Sequence, residues 1–170
     1  MNKEFSIRNY KDFEAGEIFA IVRHIYLTSP FMSDNFDRKF PTIAHFSNYY
    51  SNILEINGSF LLVAIYQNKP VGYLVMKTNP AEKLKHTATL NMGVVENFRG
   101  IGVGKHLVYE ALDKAQNEGF IEIVYLMVRA DHISAIQLYE NTGFDTLATL
   151  DNDTKIDSEY FDGVLMRKFI

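Results

Sequence analysis

The join at residues 94–105, Val-Val-Glu-Asn-Phe-Arg-Gly-Ile-Gly-Val-Gly-Lys, constrains this chain more than any other stretch. An apolar run at residues 90–95 leads into it, and a helical pattern from Val103 to about Gln116 follows. Gly100, Gly102 and Gly104 alternate at the join, with Arg99 just ahead of them. Glycine turns sharply and lets a ligand approach the backbone with no Cβ in the way. The first turn of the following helix offers unpaired N–H groups and the positive end of the helix dipole. Strand, glycine turn and helix N-terminus together predict a place for phosphate.

Two nucleotide motifs fit the join poorly. The P-loop places four residues between its glycines and a Ser or Thr after the Lys; here Gly104-Lys105 is followed by His106, so the magnesium-binding hydroxyl is missing. The dinucleotide fingerprint is G-x-G-x-x-G on the strand that opens its domain; here the spacing is G-x-G-x-G in mid-chain. The bland alternative is a tight strand-to-helix turn with no ligand. A net charge of −4 argues against a general nucleic-acid-backbone binder. The absence of cysteine removes disulfides, thiolate nucleophiles and cysteine metal sites. Residues 1–5 open no apolar signal, and no apolar run approaches the ~18 residues of a membrane helix. The expectation is a cytoplasmic protein.

A length of 170 residues with 47% hydrophobic content suits one domain, residues 1–170, with a proper core. Alternation predicts a strand over 5–10, and Asp12 is placed to cap a helix to about Tyr26. Residues 28–41 read as irregular, and 42–55 as a second helix ended by Asn57-Gly58. Residues 59–66 and 71–76 read as a hairpin around a turn at 67–70. A polar loop to His86 precedes a strand over 87–95. After the glycine-led helix, whose core face carries Leu107, Val108, Ala111, Leu112 and Ala115, Gly119 is a stop. Residues 121–128 form a near-continuous apolar strand, as in a buried parallel position. Asp131 is placed to cap a short helix through Asn141, and 144–150 and 163–169 read as two last strands joined by an acidic loop. The order is β-α-α-β-β-β-α-β-α-β-β. It predicts an α/β (α+β) fold: a mixed, mostly antiparallel sheet of about seven strands with helices on both faces.

Two blocks together resemble the GNAT superfamily of acetyl-CoA-dependent N-acetyltransferases. The family pattern Arg/Gln-x-x-Gly-x-Gly/Ala is matched by Arg99, Gly102 and Gly104, with a lead-in matched by Met92, Val94, Phe98, Arg99 and Gly100. Farther on, Ala135, Leu138, Tyr139, Gly143 and Phe144 match Ala-x-x-Leu-Tyr-x-x-x-Gly-Phe. The resemblance implies acetyl-CoA as cosubstrate, with no metal. Backbone N–H groups of Arg99, Gly100, Ile101, Gly102, Val103, Gly104 and Lys105 would hold its pyrophosphate, and Met92 and Val94 would pair with its pantetheine arm. The strand at 121–128 would splay away from them, and an N–H from the Val94 region would stabilise the oxyanion. Tyr139 would protonate the leaving thiolate as general acid. The side chain of Arg99 reads either as a phosphate ligand or as a solvated arginine, and Tyr139 either as that acid or as a core residue.

His132 stands where the family commonly has an Asn that holds pantetheine and orients the helix. It can keep that contact, and it can titrate near neutral pH. Relatives often carry a Glu base where Thr89 stands; Thr89 cannot act as one, which leaves His86, Glu159 or a water held by Asn91. Phe31, Phe36, Tyr49, Tyr50 and Tyr160 are candidate acceptor-site walls. The carboxylates at 151, 153, 157, 159 and 162 would attract an amine, or form a solvated hairpin tip. Residues 156–162 look like the Ile-Asp-Gly-x-Tyr-x-Asp ending of small bacterial members, and a homodimer is a family-level expectation. The expected function is direct acetyl transfer to a primary amine of a small molecule or peptide, with no nucleic-acid or membrane partner. The alternative is a non-catalytic acyl-CoA-binding sensor or recruiting module.

Overall fold

The computed structural model describes residues 5–170. The reading that residues 1–5 open no signal lies, for residues 1–4, outside the described part. β1 (Ser6–Asn9) leads into α1 (Ala15–Thr28), α2 (Phe36–Lys39) and α3 (Ile43–Leu54). β2 (Phe60–Tyr66), β3 (Lys69–Thr78), β4 (Thr87–Val94) and α4 (Val103–Glu118) follow. β5 (Ile123–Arg129), α5 (Ile133–Asn141), β6 (Asp145–Ile156) and β7 (Glu159–Phe169) complete the order. The seven strands form one sheet, β1-β2-β3-β4-β5-β7-β6. β4 and β5 are parallel, as the α4 crossover requires, and every other pair is antiparallel. The expected architecture is present, with one helix more than the order read from the sequence.

Two cores flank the sheet. On one face Leu107, Val108, Ala111 and Ala115 of α4 pack with Leu74, Leu90, Val124 and Leu126 of the strands, and Tyr139 of α5 joins them. On the other, Ile18, Val22 and Ile25 of α1 and Phe46, Tyr50 and Ile53 of α3 cover Leu61, Val63 and Tyr73. Gly93 is the close contact between this second core and β4. A Cβ there would lie 2.7 Å from Ile25 Cγ2 and 2.9 Å from Tyr73 Cε1, so only glycine lets α1 and the Tyr73 ring sit down on the strand. Among the described residues no helix is long and apolar enough to cross a membrane.

Local chemistry moved several boundaries. Asp12 does not cap α1; it ends a single 3-10 turn, and Glu14 takes the cap position without a side-chain bond. α2 forms inside the stretch read as irregular because the Asn35 side chain accepts the Arg38 N–H at 2.9 Å. The turn at 67–70 contracts to Gln67-Asn68, both at positive φ, as two-residue hairpin turns require. The acidic loop between the last strands is not a loop. β6 and β7 run to a turn at Asp157-Ser158, with φ +54° at Asp157. An irregularity at 151–153, where Asn152 donates its N–H to Asp162 Oδ1 at 2.9 Å, absorbs the acidic residues into the hairpin.

Candidate active site

Antiparallel strands exchange backbone bonds at alternate residue pairs. Val95 N–H donates to Val71 O at 2.9 Å, and Gly72 lies opposite Val94. Tyr73–Gly93 and Val75–Asn91 are therefore bonding pairs, and the N–H and C=O groups of Leu90, Met92 and Val94 point the other way, towards β5. Yet β5 registers with β4 only from Thr87 to Thr89, opposite Ile123 to Tyr125. The same parity on β5, fixed by Ala130 N–H donating to Asp162 O at 2.8 Å, aims the backbone groups of Met127 at the gap. Beyond Thr89 the sheet thus opens into a V whose two inner edges have no ladder partner among the described residues.

At the open end of β4 lies the glycine turn. Gly100 and Gly102 have φ of +73° and +99°, which side chains rarely adopt. A Cβ on Gly100 would meet nothing within 4 Å among the described residues, so the turn faces open space. Gly104 serves a different purpose. Its Cβ would lie 3.1 Å from Met92 Cε and 3.2 Å from Leu138 Cδ2, so α4 packs closely on both β4 and α5. The first bond of α4 is His106 N–H to Gly102 O at 3.0 Å, which leaves the N–H groups of Val103, Gly104 and Lys105 ahead of the ladder. Arg99 is not simply solvated: its Nε–H donates to Val94 O at 2.8 Å. One edge of the guanidinium thus braces the turn against β4.

Tyr139 lies on α5, packs into the α4-side core and is 8% exposed. Burial pushes its phenol well above the ordinary value, so it stays protonated throughout the working range. Among the described residues no hydrogen bond reaches its hydroxyl, and the one sealed, unpartnered side-chain oxygen is that of Tyr73. The Tyr139 hydroxyl therefore keeps access to solvent. α5 is capped by His132 rather than Asp131: Nδ1 accepts the Ala135 N–H at 3.3 Å. An acceptor Nδ1 places the proton of the neutral ring on Nε2. Burial holds the His132 pKa below the ordinary imidazole value, against the pull of its backbone bond and of Asp131.

Asp131 is drawn away from the cap by Arg129, whose Nε and Nη2 donate to its carboxylate at 3.0 and 2.5 Å. Arg129 escaped the sequence reading because a strand-end arginine gives no signal. The acceptor-wall candidates divide. Phe36 and Tyr50 are core residues of the α1–α3 layer, 2% and 4% exposed, whereas Tyr49 and Tyr160 are exposed. Phe31 is half-buried, and its ring centroid lies 3.8 Å from that of His132. Of the candidate bases, His86 sits at the closed end of the V, where its carbonyl accepts the N–H groups of Glu122 and Ile123. Glu159 opens β7 beside the hairpin turn. Asn91 lies where the strands part, next to the last β4–β5 pair. Among the described residues, no three His, Cys, Asp or Glu side chains gather to hold a metal ion.

The family model described as acetyltransferase (GNAT) family matches residues 21–144. The chain belongs to the GNAT acetyltransferase family. It is similar to N-alpha-acetyltransferase 50 of Danio rerio, 24% identical over 110 residues that cover 65% of each chain; the matched stretch thus spans under two thirds of that relative. A GNAT-family acetyltransferase from Streptococcus pneumoniae superimposes with a TM-score of 0.89 at 24% identity, covering 98% of this chain and 99% of the other. A phosphinothricin acetyltransferase from Sinorhizobium meliloti, solved in complex with acetyl-CoA, gives a TM-score of 0.83 at 19% identity, covering 100% and 89%. These likenesses agree with the GNAT fold built above from the register and the crossover.

Proposed function

We propose that this GNAT-family chain transfers the acetyl group of acetyl-CoA to a primary amine, and that the amine is the α-amine of a polypeptide. The observation that carries the reading is the V between β4 and β5. Its inner edge presents the N–H and C=O of Met92 and the N–H of Val94, whose carbonyl accepts from Arg99, in line with an open glycine turn. An acyl-pantetheine fits this edge as an added strand. The N–H groups of Gly100 to Lys105 and the free edge of Arg99 suit its pyrophosphate. Acetyl-CoA supplies the activated acyl group. The polypeptide reading is supported by the relatives, several of which are named N-alpha-acetyltransferases.

The residues then divide the work. Val94 N–H holds the negative charge that develops on the thioester oxygen as the amine attacks the carbonyl carbon. Tyr139, kept neutral by burial, gives its proton to the sulfur as the carbon–sulfur bond breaks. Asn91 orients a water that takes the proton lost by the amine. His132 stands in for the family's Asn by capping α5 through Nδ1, which leaves Nε2–H to donate to the pantetheine arm.

The test is free-thiol release from acetyl-CoA with a panel of peptides bearing free or blocked N-termini, beside spermidine and an aminosugar. Thiol release with free N-termini alone is the expected result. Release with blocked peptides through lysine, or with the small amines alone, overturns the acceptor class. No binding of acetyl-CoA at millimolar concentration overturns the whole reading.

A further inference from the structure

Arg129 closes β5, opposite Gly163 of β7, at the open end of the V. Its side chain is only 10% exposed, unusual for a cation with a single carboxylate partner. Asp131 takes Nε and Nη2. Nη1 donates to the backbone oxygen of Pro30 at 2.9 Å, in the loop between α1 and α2. The guanidinium carbon stands 3.9 Å from the centroid of the Phe161 ring and 5.0 Å from that of Phe31. Phe31 in turn lies at 30° over His132, the cap of the helix that carries Tyr139. One buried guanidinium therefore gathers the α1–α2 loop, the end of β5, the last hairpin and the start of α5. α1 rests on β3 and β4, so the loop crosses from the β4 side of the V to the β5 side, and Arg129 is its far anchor.

We propose that Arg129 is a positioning residue for the acceptor: it holds the loop at 29–35, through Phe31, across the mouth of the V, and so fixes the path by which the amine reaches the acyl carbon. The inference rests on the reading of the V as an acetyl-transfer site. The planar fork matters as well as the charge, because it holds the Asp131 carboxylate with two donors and the Pro30 carbonyl with a third while aromatic rings pack against it. Lysine keeps the charge and loses the fork.

The test uses the full chain with Arg129→Met, Arg129→Lys, Phe31→Leu and the Arg129→Met/Phe31→Leu double variant. Two readouts are taken: amide hydrogen exchange of the segment 29–35, and steady-state kinetics with a free-N-terminus peptide alongside acetyl-CoA affinity. Exchange of the segment is expected to quicken about tenfold in both Arg129 variants, the scale of one lost hydrogen bond to a charged group. Acceptor KM is expected to rise by about the same factor while kcat and the acetyl-CoA Kd move less than about threefold. The double variant is expected to be no worse than Arg129→Met alone, since both act through one contact. Unchanged exchange at 29–35 overturns the proposal, as does a parallel loss of kcat and cofactor affinity, or full additivity in the double variant. Should the wild type fail to bind acetyl-CoA, the acetyl-transfer reading falls, and the exchange data still decide whether Arg129 holds the loop. Phe31→Leu, in a half-buried loop, keeps the question answerable if Arg129→Met does not fold.

Discussion

Replacing Tyr139 by Phe separates chemistry from packing with unusual clarity. The ring makes its contacts through carbon: it sits 5.7 Å from the Phe144 ring in an edge-on arrangement and belongs to the α4 core. The hydroxyl has no hydrogen bond to lose among the described residues, so Tyr139→Phe should change folding stability by less than about 1 kcal/mol. Its effect on rate should be much larger. A positioned acid contributes on the order of 10²-fold or more, or about 2.7 kcal/mol of barrier at 1.36 kcal/mol per tenfold. We take the lower end of that range because burial raises the phenol above a leaving thiol of about 8.5, which makes the transfer less favourable. Free-thiol release gives kcat, calorimetric titration the acetyl-CoA Kd, and urea unfolding the stability. The expected pattern is a drop of about 100-fold in kcat with Kd within about twofold and stability unmoved. A parallel fall in stability would assign the residue to packing. A kcat within about threefold of wild type would remove it from the reaction. Since burial keeps the phenol protonated, Tyr139→Phe should also leave the shape of the pH–rate profile unchanged up to about pH 10.

Gly102→Ala, at φ +99°, should cost about 1–2 kcal/mol in urea unfolding and weaken acetyl-CoA binding. Gly104→Ala should change stability by under about 1 kcal/mol, because better helix propensity offsets the push on the flexible ends of Met92 and Leu138. Equal destabilisation by the two would contradict the different reasons given for these glycines. Gly93→Ala drives a Cβ into Ile25 and Tyr73 and should destabilise by about 1–3 kcal/mol; an unchanged urea midpoint would refute that packing. His132→Asn tests the burial of the imidazole. The folded pKa of His132 is lowered, so the unfolded chain binds more protons in acid. That part of the stability is present above about pH 6.5 and is lost as pH falls through the imidazole range. Asn keeps a capping acceptor that does not titrate, so the stability difference between pH 7.5 and 5 should shrink in the variant. A difference as large as that of the wild type would count against the burial of the imidazole.

Periodicity located the strands and long helices because burial on one face writes itself into the residue order. It missed α2, where four residues are too few for a period and the deciding signal is one Asn35 side chain. It misplaced the end of the chain because acidic residues read as solvated loop, whereas both strands of an exposed hairpin can carry charge. The glycine turn was legible as a tight strand-to-helix join, but not the separate reasons for its glycines. Two of them serve backbone conformation and one serves the approach of α4 to Met92 and Leu138. The caps show the same limit. Asp131 has the better composition for an N-cap, yet Arg129, two residues away, claims its carboxylate and His132 takes the position. Such competition depends on which groups meet in space.

The parted strands also bear on how long the molecule lasts. An outer sheet edge can be shielded by charge or a bulge, but this inner edge has to stay bare to work. Until something occupies it, the backbone around Met92 and Met127 depends on water for half its hydrogen bonds, and local opening should begin there. A ligand held at a hundred times its Kd adds about 2.7 kcal/mol to the folded state. The survival of the protein under heat or proteolysis then becomes a gauge of how well the surrounding acyl-CoA pool is stocked.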